Sequence, residues 1–161
     1  MQIKWERLDG RGGHEAGREL LRPLYRERTG EDCPPVLIAP RGKPYFENEN
    51  LHFSISHTKK HVFCVLSSHP VGIDVEENDR KVNLRLAEKI LSPAEYARYK
   101  RAADKPEALL RLWVLKEAAA KLTGEGLQGF PNQTDFSPDD PRIQEIDGCL
   151  VAVLKENDHA V

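Results

Sequence analysis

The sequence predicts an α+β chain, on three observations. Residues 51–76 alternate apolar and polar side chains in short runs with a period of two, as half-buried strands do. Residues 84–123 switch to helical spacing with strong start and stop signals. Two further apolar runs, joined by Asp147-Gly148, close the chain as a hairpin. The length of 161 residues suits one good core, or two small halves sharing one.

Gln2 to Leu8 is compatible with a short strand, and Gly10 to Gly13 is a break. His14 to Thr29 places Ala16, Leu20, Leu21, Leu24 and Tyr25 on one helical side, with Gly30 as a stop. Pro23 opposes an unbroken helix, because an interior proline costs roughly 3 kcal/mol, so a kink or a start near Arg22 is expected. Val36 to Ala39 suggests a short strand ahead of a turn at Pro40 to Pro44. Leu51–Ser56, His61–Leu66 and Val71–Glu76 follow one another through short turns and suggest an antiparallel meander. Leu84 to Leu91 is helical. Ser92-Pro93-Ala94-Glu95 is a capping box with proline in the first turn, opening a helix that runs to about Arg101. Asp104-Lys105-Pro106-Glu107 opens a long helix ending at Thr123-Gly124, and Gly126 to Pro141 is loop-rich.

The net charge of −2 gives no overall attraction to nucleic acid or to an anionic membrane. No window is apolar enough to span a bilayer, and the first residues carry Lys4, Glu6 and Arg7, unlike a signal peptide. Cys33, Cys64 and Cys149 have no metal-ligand spacing, and their odd number argues against a disulfide framework. A cytoplasmic location is expected. Charge is uneven locally. Arg80, Lys81, Arg85, Lys89, Arg98, Lys100 and Arg101 form a basic stretch, either solvated helix faces or a docking surface for an acidic partner.

Two segments carry residues suited to chemistry. In Val71 to Glu76, Val71, Ile73 and Val75 share one strand face, and Gly72, Asp74 and Glu76 the other. Carboxylates two apart on a strand sit roughly 7 Å apart at Cα and can converge on one cation, with Gly72 letting a ligand near the backbone. In the long helix, Trp113, Glu117 and Lys121 lie four apart on one stripe, while Leu112, Leu115, Ala119 and Leu122 form an apolar one. Magnesium binds few carboxylates and completes its octahedron with water or phosphate, so Asp74 and Glu76 need one more, for which Glu117 is the obvious choice. The plainer alternatives are an exposed strand face, and a surface Glu117–Lys121 ion pair worth about 0.3–0.5 kcal/mol. Lys116 points about 100° away from Glu117, and its plain reading is a surface lysine. Ser54, Ser56, His57 and Thr58 end a strand in groups that can bind phosphate oxygens, and Lys43 sits in a stiff Gly-Lys-Pro turn.

Taken in order, these segments resemble the 4′-phosphopantetheinyl transferase superfamily, Sfp/AcpT type. Gly42-Lys43-Pro44-Tyr45 is similar to its first motif, Phe53 to Thr58 to the second and Gly72 to Glu76 to the third. Trp113 through Lys121 with Gly124-Glu125-Gly126-Leu127 is similar to the fourth. The match covers roughly residues 15–136.

The resemblance implies a fold of two pseudo-symmetric strand-and-helix halves with the active site at their junction: residues 1–70 binding coenzyme A and 71–161 holding the metal and catalytic residues. It implies Mg²⁺-dependent transfer of 4′-phosphopantetheine from coenzyme A to a serine of an apo acyl or peptidyl carrier protein. Adenosine 3′,5′-bisphosphate is released. Asp74, Glu76 and Glu117 are the implied metal ligands, and Glu117 and Lys121 the catalytic residues. Lys43, Ser56, His57, Lys116 and Lys121 are the implied coenzyme A contacts. An acidic carrier is expected to dock near Arg80 to Arg101, on a monomeric enzyme. The basic segment usual ahead of the family's first helix is missing here, and Arg11 and Arg18 are the expected substitutes for its 3′-phosphate contacts. A carrier-binding module without catalysis is the alternative reading.

Overall fold

A computed structural model describes residues 1–47, 50–126 and 135–156 of the chain. Its elements are strand β1 (Gln2–Arg7), helix α1 (Gly13–Thr29), strands β2 (Val36–Ile38), β3 (Pro44–Phe46), β4 (His52–His57), β5 (His61–Ser67) and β6 (Val71–Glu77), helices α2 (Ala87–Ile90), α3 (Pro93–Arg101) and α4 (Lys105–Thr123), and strands β7 (Ile143–Ile146) and β8 (Cys149–Lys155). The mixture is α+β, as the sequence implies. One antiparallel sheet has the order β1-β5-β4, another β6-β8-β7, and β2 pairs with β3. The loop-rich expectation for Gly126 to Pro141, and Leu127 of the fourth motif, fall partly or wholly outside the described residues.

α1 runs unbroken from Gly13 to Thr29 with Pro23 inside it, so the alternative start near Arg22 is corrected. Its buried face, Ala16, Leu20, Leu21, Leu24 and Tyr25, extends on both sides of Pro23 and packs against Phe53, Val62, Cys64 and Leu66. Burying several such side chains, at roughly 1.5–3 kcal/mol each, outweighs the proline. The exposed Pro23 leaves only the helix's outer side without its hydrogen bond.

The expected three-strand meander is also corrected. β4 and β5 form a hairpin, but β5 takes β1 on its other edge, and β6 pairs with β8 in the second sheet. β6 nevertheless lies beside β4, and the seam is closed by side chains. The Ser54 hydroxyl accepts from the Ile73 N–H at 3.1 Å and the Ser56 hydroxyl from the Val75 N–H at 3.2 Å. Both donors are buried, and an unpartnered buried N–H is costly, so these two serines substitute for a strand ladder. Behind the seam, Val71, Ile73 and Val75 pack on Phe63, Val65, Val151 and Val153.

α4 starts where Asp104 accepts from the Glu107 N–H and ends at Gly124, whose φ of 75° favours glycine. It lies directly on β6. A Cβ at Gly72 would come within 2.1 Å of the Ala118 carbonyl oxygen. The close approach that this glycine permits is therefore that of α4, which corrects the expectation of a ligand there. Ala118, Ala119 and Ala120 suit the same tight contact. On its other side, α4 meets α3 through the capping box at Ser92 and Glu95.

Candidate active site

The alternation of β6 sends Asp74 and Glu76 toward α4, and the four-residue spacing of α4 returns Trp113, Glu117 and Lys121 toward β6. Asp74 is 5% exposed. Its Oδ1 accepts from Lys121 Nζ at 2.7 Å and from the Ser56 hydroxyl at 3.0 Å. Lys121 Nζ also donates to the Ser56 hydroxyl at 2.8 Å. Glu76 Oε1 accepts from the Trp113 indole N–H at 3.1 Å and pairs with Arg80, whose guanidinium lies over the Trp113 ring. Asp74, Ser56 and Lys121 thus form one hydrogen-bonded group, and Glu76, Trp113 and Arg80 form a second whose carboxylate is felt by Asp74. The plainer alternative, a surface Glu117–Lys121 pair, is not what forms: Lys121 turns to the more deeply buried Asp74.

The electrostatics of this group are unbalanced. Burial raises the Asp74 carboxyl against the lowering effect of Lys121. Burial, then the charge of Asp74, pushes Glu117 up to about 7. Asp74 Oδ2 is buried and, among the described residues, has no hydrogen-bond partner. Native structures rarely leave a buried carboxylate oxygen unpartnered. Three carboxylates against one ammonium and one guanidinium, with an orphaned oxygen, fit an additional cation, and an all-oxygen donor set fits a hard one such as magnesium.

Beside the carboxylates lies a pocket of about 250 Å³, lined by Lys43, Phe53, Ser54, Glu117, Lys121 and Gly124, among others. Lys43 reaches it from the turn before β3, where Gly42 has a φ of 88°, and donates to the Leu122 carbonyl. Burial lowers its pKa. The fold therefore gathers Lys43, Ser56, Asp74, Glu76, Glu117 and Lys121 at the seam between the two sheets.

Two implied residues lie elsewhere. Lys116 is 1% exposed and ion-paired at 2.8 Å with Glu95, itself 0% exposed, so the expected coenzyme A contact is corrected to a core ion pair. The reason is the 100° turn between adjacent helical residues, which aims Lys116 at α3 while Glu117 faces β6. Glu95 Oε2 also accepts from the Ser92 N–H at 2.8 Å and Oε1 from the Phe136 N–H at 2.9 Å, which satisfies the carboxylate on both sides. His57 is exposed, with its ring 4.9 Å from that of His14 and against the first turn of α1, where a Cβ on Gly13 would collide with it. Trp113 packs on the core as an anchor, and its indole N–H additionally orients Glu76, a role that only its place on the Glu117 stripe hinted at. Arg11 is engaged by Glu6 and Glu19, and Arg18 is exposed.

Residues 70–155 match the family model described as the 4′-phosphopantetheinyl transferase superfamily. The chain is 37% identical over 117 residues to the 4′-phosphopantetheinyl transferase Sfp of Bacillus subtilis, covering 69% of this chain and 51% of that protein. It is 34% identical over 88 residues to the 4′-phosphopantetheinyl transferase gsp of Aneurinibacillus migulanus, covering 53% and 36%. It is 31% identical over 158 residues to the 4′-phosphopantetheinyl transferase HetI of Nostoc, covering 91% and 67%. The chain belongs to the 4′-phosphopantetheinyl transferase superfamily, and its relatives are of the Sfp type. It spans about half the length of several curated relatives that it matches.

Proposed function

We propose that this protein transfers 4′-phosphopantetheine from coenzyme A to a serine of an apo acyl or peptidyl carrier protein. The observation that carries the proposal is the buried Oδ2 of Asp74, which has no partner among the described residues, beside a Glu117 raised to about 7. These carboxylates are built to be completed by a cation.

Asp74, Glu76 and Glu117 are the proposed holders of Mg²⁺, which when bound polarises the diphosphate and offsets charge developing on it. The chain's own residues do the rest. Lys121, anchored on Asp74 and Ser56, holds an ammonium toward the pocket for a phosphate oxygen. Lys43, which lines the same pocket, supplies a second positive charge. Glu117, on the wall of the pocket, is the candidate acceptor for the serine proton. The serine oxygen forms a bond to the β-phosphorus, and the bond from that phosphorus to the bridging oxygen breaks. Adenosine 3′,5′-bisphosphate leaves with the electron pair. His57, exposed beside α1, is proposed to meet coenzyme A away from the reacting centre.

The same reading assigns coenzyme A binding mainly to residues 1–70 and metal binding to 71–161, in a monomer. The pocket draws on both stretches, which supports a site at their junction. Lys81, Arg85, Lys89 and Arg101 are exposed and are proposed to dock an acidic carrier, whereas Arg80 and Arg98 are engaged by Glu76 and Asp135. Free Cys33, Cys64 and Cys149 support a reducing cytoplasm, and among the described residues no helix is long and apolar enough to cross a membrane.

Incubation with coenzyme A, Mg²⁺ and apo acyl or peptidyl carriers, followed by mass spectrometry of the carrier, tests the proposal. The expected result is a phosphopantetheine mass increment, lost in Asp74→Ala and Glu117→Ala. No increment on any carrier would overturn it, leaving a carrier-binding module without chemistry.

A further inference from the structure

A second convergence of ligand-type side chains lies on the other side of β6, at the end where β5 begins, β6 ends and β8 begins. His61 Nδ1 is 3.1 Å from Glu77 Oε1 and 3.3 Å from Cys149 Sγ. The three ligand atoms all fall within 4.8 Å of one another. His61 Nε2 is 2.8 Å from Asp147 Oδ2, and Arg7 holds the same carboxylate through two bonds of 2.8 Å. The turn at Asp147-Gly148, with φ values of 47° and 77°, places that carboxylate over the ring.

We propose that His61, Glu77 and Cys149 form a structural site for a borderline-soft divalent cation, with zinc as the best fit. Four features support it. The donors are one imidazole, one carboxylate and one thiol, a mixture that zinc accepts and magnesium does not. Ligands on a tetrahedral zinc are separated by about 3.4 Å for nitrogen and oxygen and about 3.6 Å for nitrogen and sulfur, so only a few tenths of an ångström of widening is needed. His61 Nδ1, the Glu77 carboxylate and the Cys149 thiol lie within hydrogen-bonding reach of one another, and a cation among them would engage all three. The outer groups also match. Asp147 accepts from Nε2, which leaves Nδ1 as the metal-facing nitrogen, and the Thr58 hydroxyl donates to Glu77.

A groove of about 560 Å³ lined by Arg7, Asp9, Lys60, Asn78, Asp79 and Gly148 gives access and room for a water as fourth ligand. The protons displaced from the thiol and from Nδ1 leave to solvent, and the thiolate and carboxylate neutralise the dication. Because His61 belongs to the first sheet and Glu77 and Cys149 to the second, the ion joins the two. Glu76 and Glu77 point to opposite faces of β6, so this site is separate from the carboxylates of the candidate active site.

Cobalt(II) and zinc titrations of the purified full chain test the site without reference to activity. The expected result is a thiolate-to-cobalt charge-transfer band saturating at one equivalent and displaced by zinc. The band should persist in Asp74→Asn and Cys64→Ala. Cys149→Ala should abolish it, and Glu77→Gln should weaken binding at least tenfold, which gives a reading should Cys149→Ala not fold. Absence of the band in the parent chain, its survival in Cys149→Ala, or unchanged affinity in Glu77→Gln would overturn the proposal.

Discussion

Helix α4 carries two lysine–carboxylate pairs on different faces, and they differ in how completely their atoms are satisfied. Lys116 and Glu95 are almost wholly enclosed, and both oxygens of Glu95 have partners on α3, on α4 and at Phe136. Lys121 and Asp74 are also enclosed on the Asp74 side, but among the described residues one oxygen of Asp74 has no partner, and the charge of a further carboxylate, Glu117, acts against it. The first pair closes a structure; the second leaves an electrostatic demand open. Both lysines occur within one short helical stretch, so residue type alone does not separate a core pair from a site. Completeness of satisfaction does.

The comparison is broken most severely at the closed pair. Lys116→Met should cost about 3–5 kcal/mol, because Glu95 is left as a buried, unpaired charge. The double variant Lys116→Met with Glu95→Leu should recover only part of that loss, because it removes the buried charge but also strips the Ser92 and Phe136 N–H groups of their acceptor. Urea denaturation of the three proteins checks it, and a double variant no more stable than the single would contradict the reading.

At the open pair the sign reverses. The Glu117 carboxyl is held near 7 in the folded chain, above its ordinary 4.5. A raised acid favours the folded state fully below about 4.5, and that contribution is lost as pH rises through about 7. Without divalent ions, the parent chain should therefore lose stability between those pH values. Glu117→Gln should not, and should be more stable at pH 8 by on the order of 2 kcal/mol. The same substitution should reduce phosphopantetheine transfer at least about a hundredfold, the kind of exchange of stability for function expected at a site. Unfolding curves across pH in a chelator, paired with the carrier assay, decide both.

Two smaller effects sharpen the boundary of the site. Ser54→Ala removes the acceptor for the Ile73 N–H and should cost about 1.5 kcal/mol, read as loosened hydrogen-exchange protection of β6. Trp113→Phe keeps much of the packing but frees Glu76, and should cost about 1 kcal/mol or less in stability. Its larger effect should be a weaker Mg²⁺ affinity; unchanged affinity would remove Trp113 from the site.

The separation between what the sequence disclosed and what it hid follows the range of the interactions. Asp74 and Glu76 were legible from strand alternation, and Trp113, Glu117 and Lys121 from helical spacing, because each rule acts over a few residues. The Ser92–Glu95 capping box was legible for the same reason, yet the second role of Glu95, as partner of Lys116, was not, since it depends on how α3 meets α4. Ser54 and Ser56 looked like phosphate-binding hydroxyls, but they also close the seam to β6, whose pairing choice no local pattern fixes. Gly72 announced a close approach without saying to what. His61 read as the start of a strand and Asp147 as a turn. Their meeting, with Cys149 and Glu77, spans most of the chain and leaves no periodic trace.

The most direct test of the open-site reading is a Mg²⁺ titration at pH 8 followed by thermal unfolding. The parent chain should rise in melting temperature with Mg²⁺, as a ligand bound only by the folded state requires. Asp74→Asn should not respond, and the Lys116→Met with Glu95→Leu double variant should respond as the parent does. A parent chain indifferent to Mg²⁺, or an equal rise in Asp74→Asn, would contradict the reading of Asp74, Glu76 and Glu117 as the cation site.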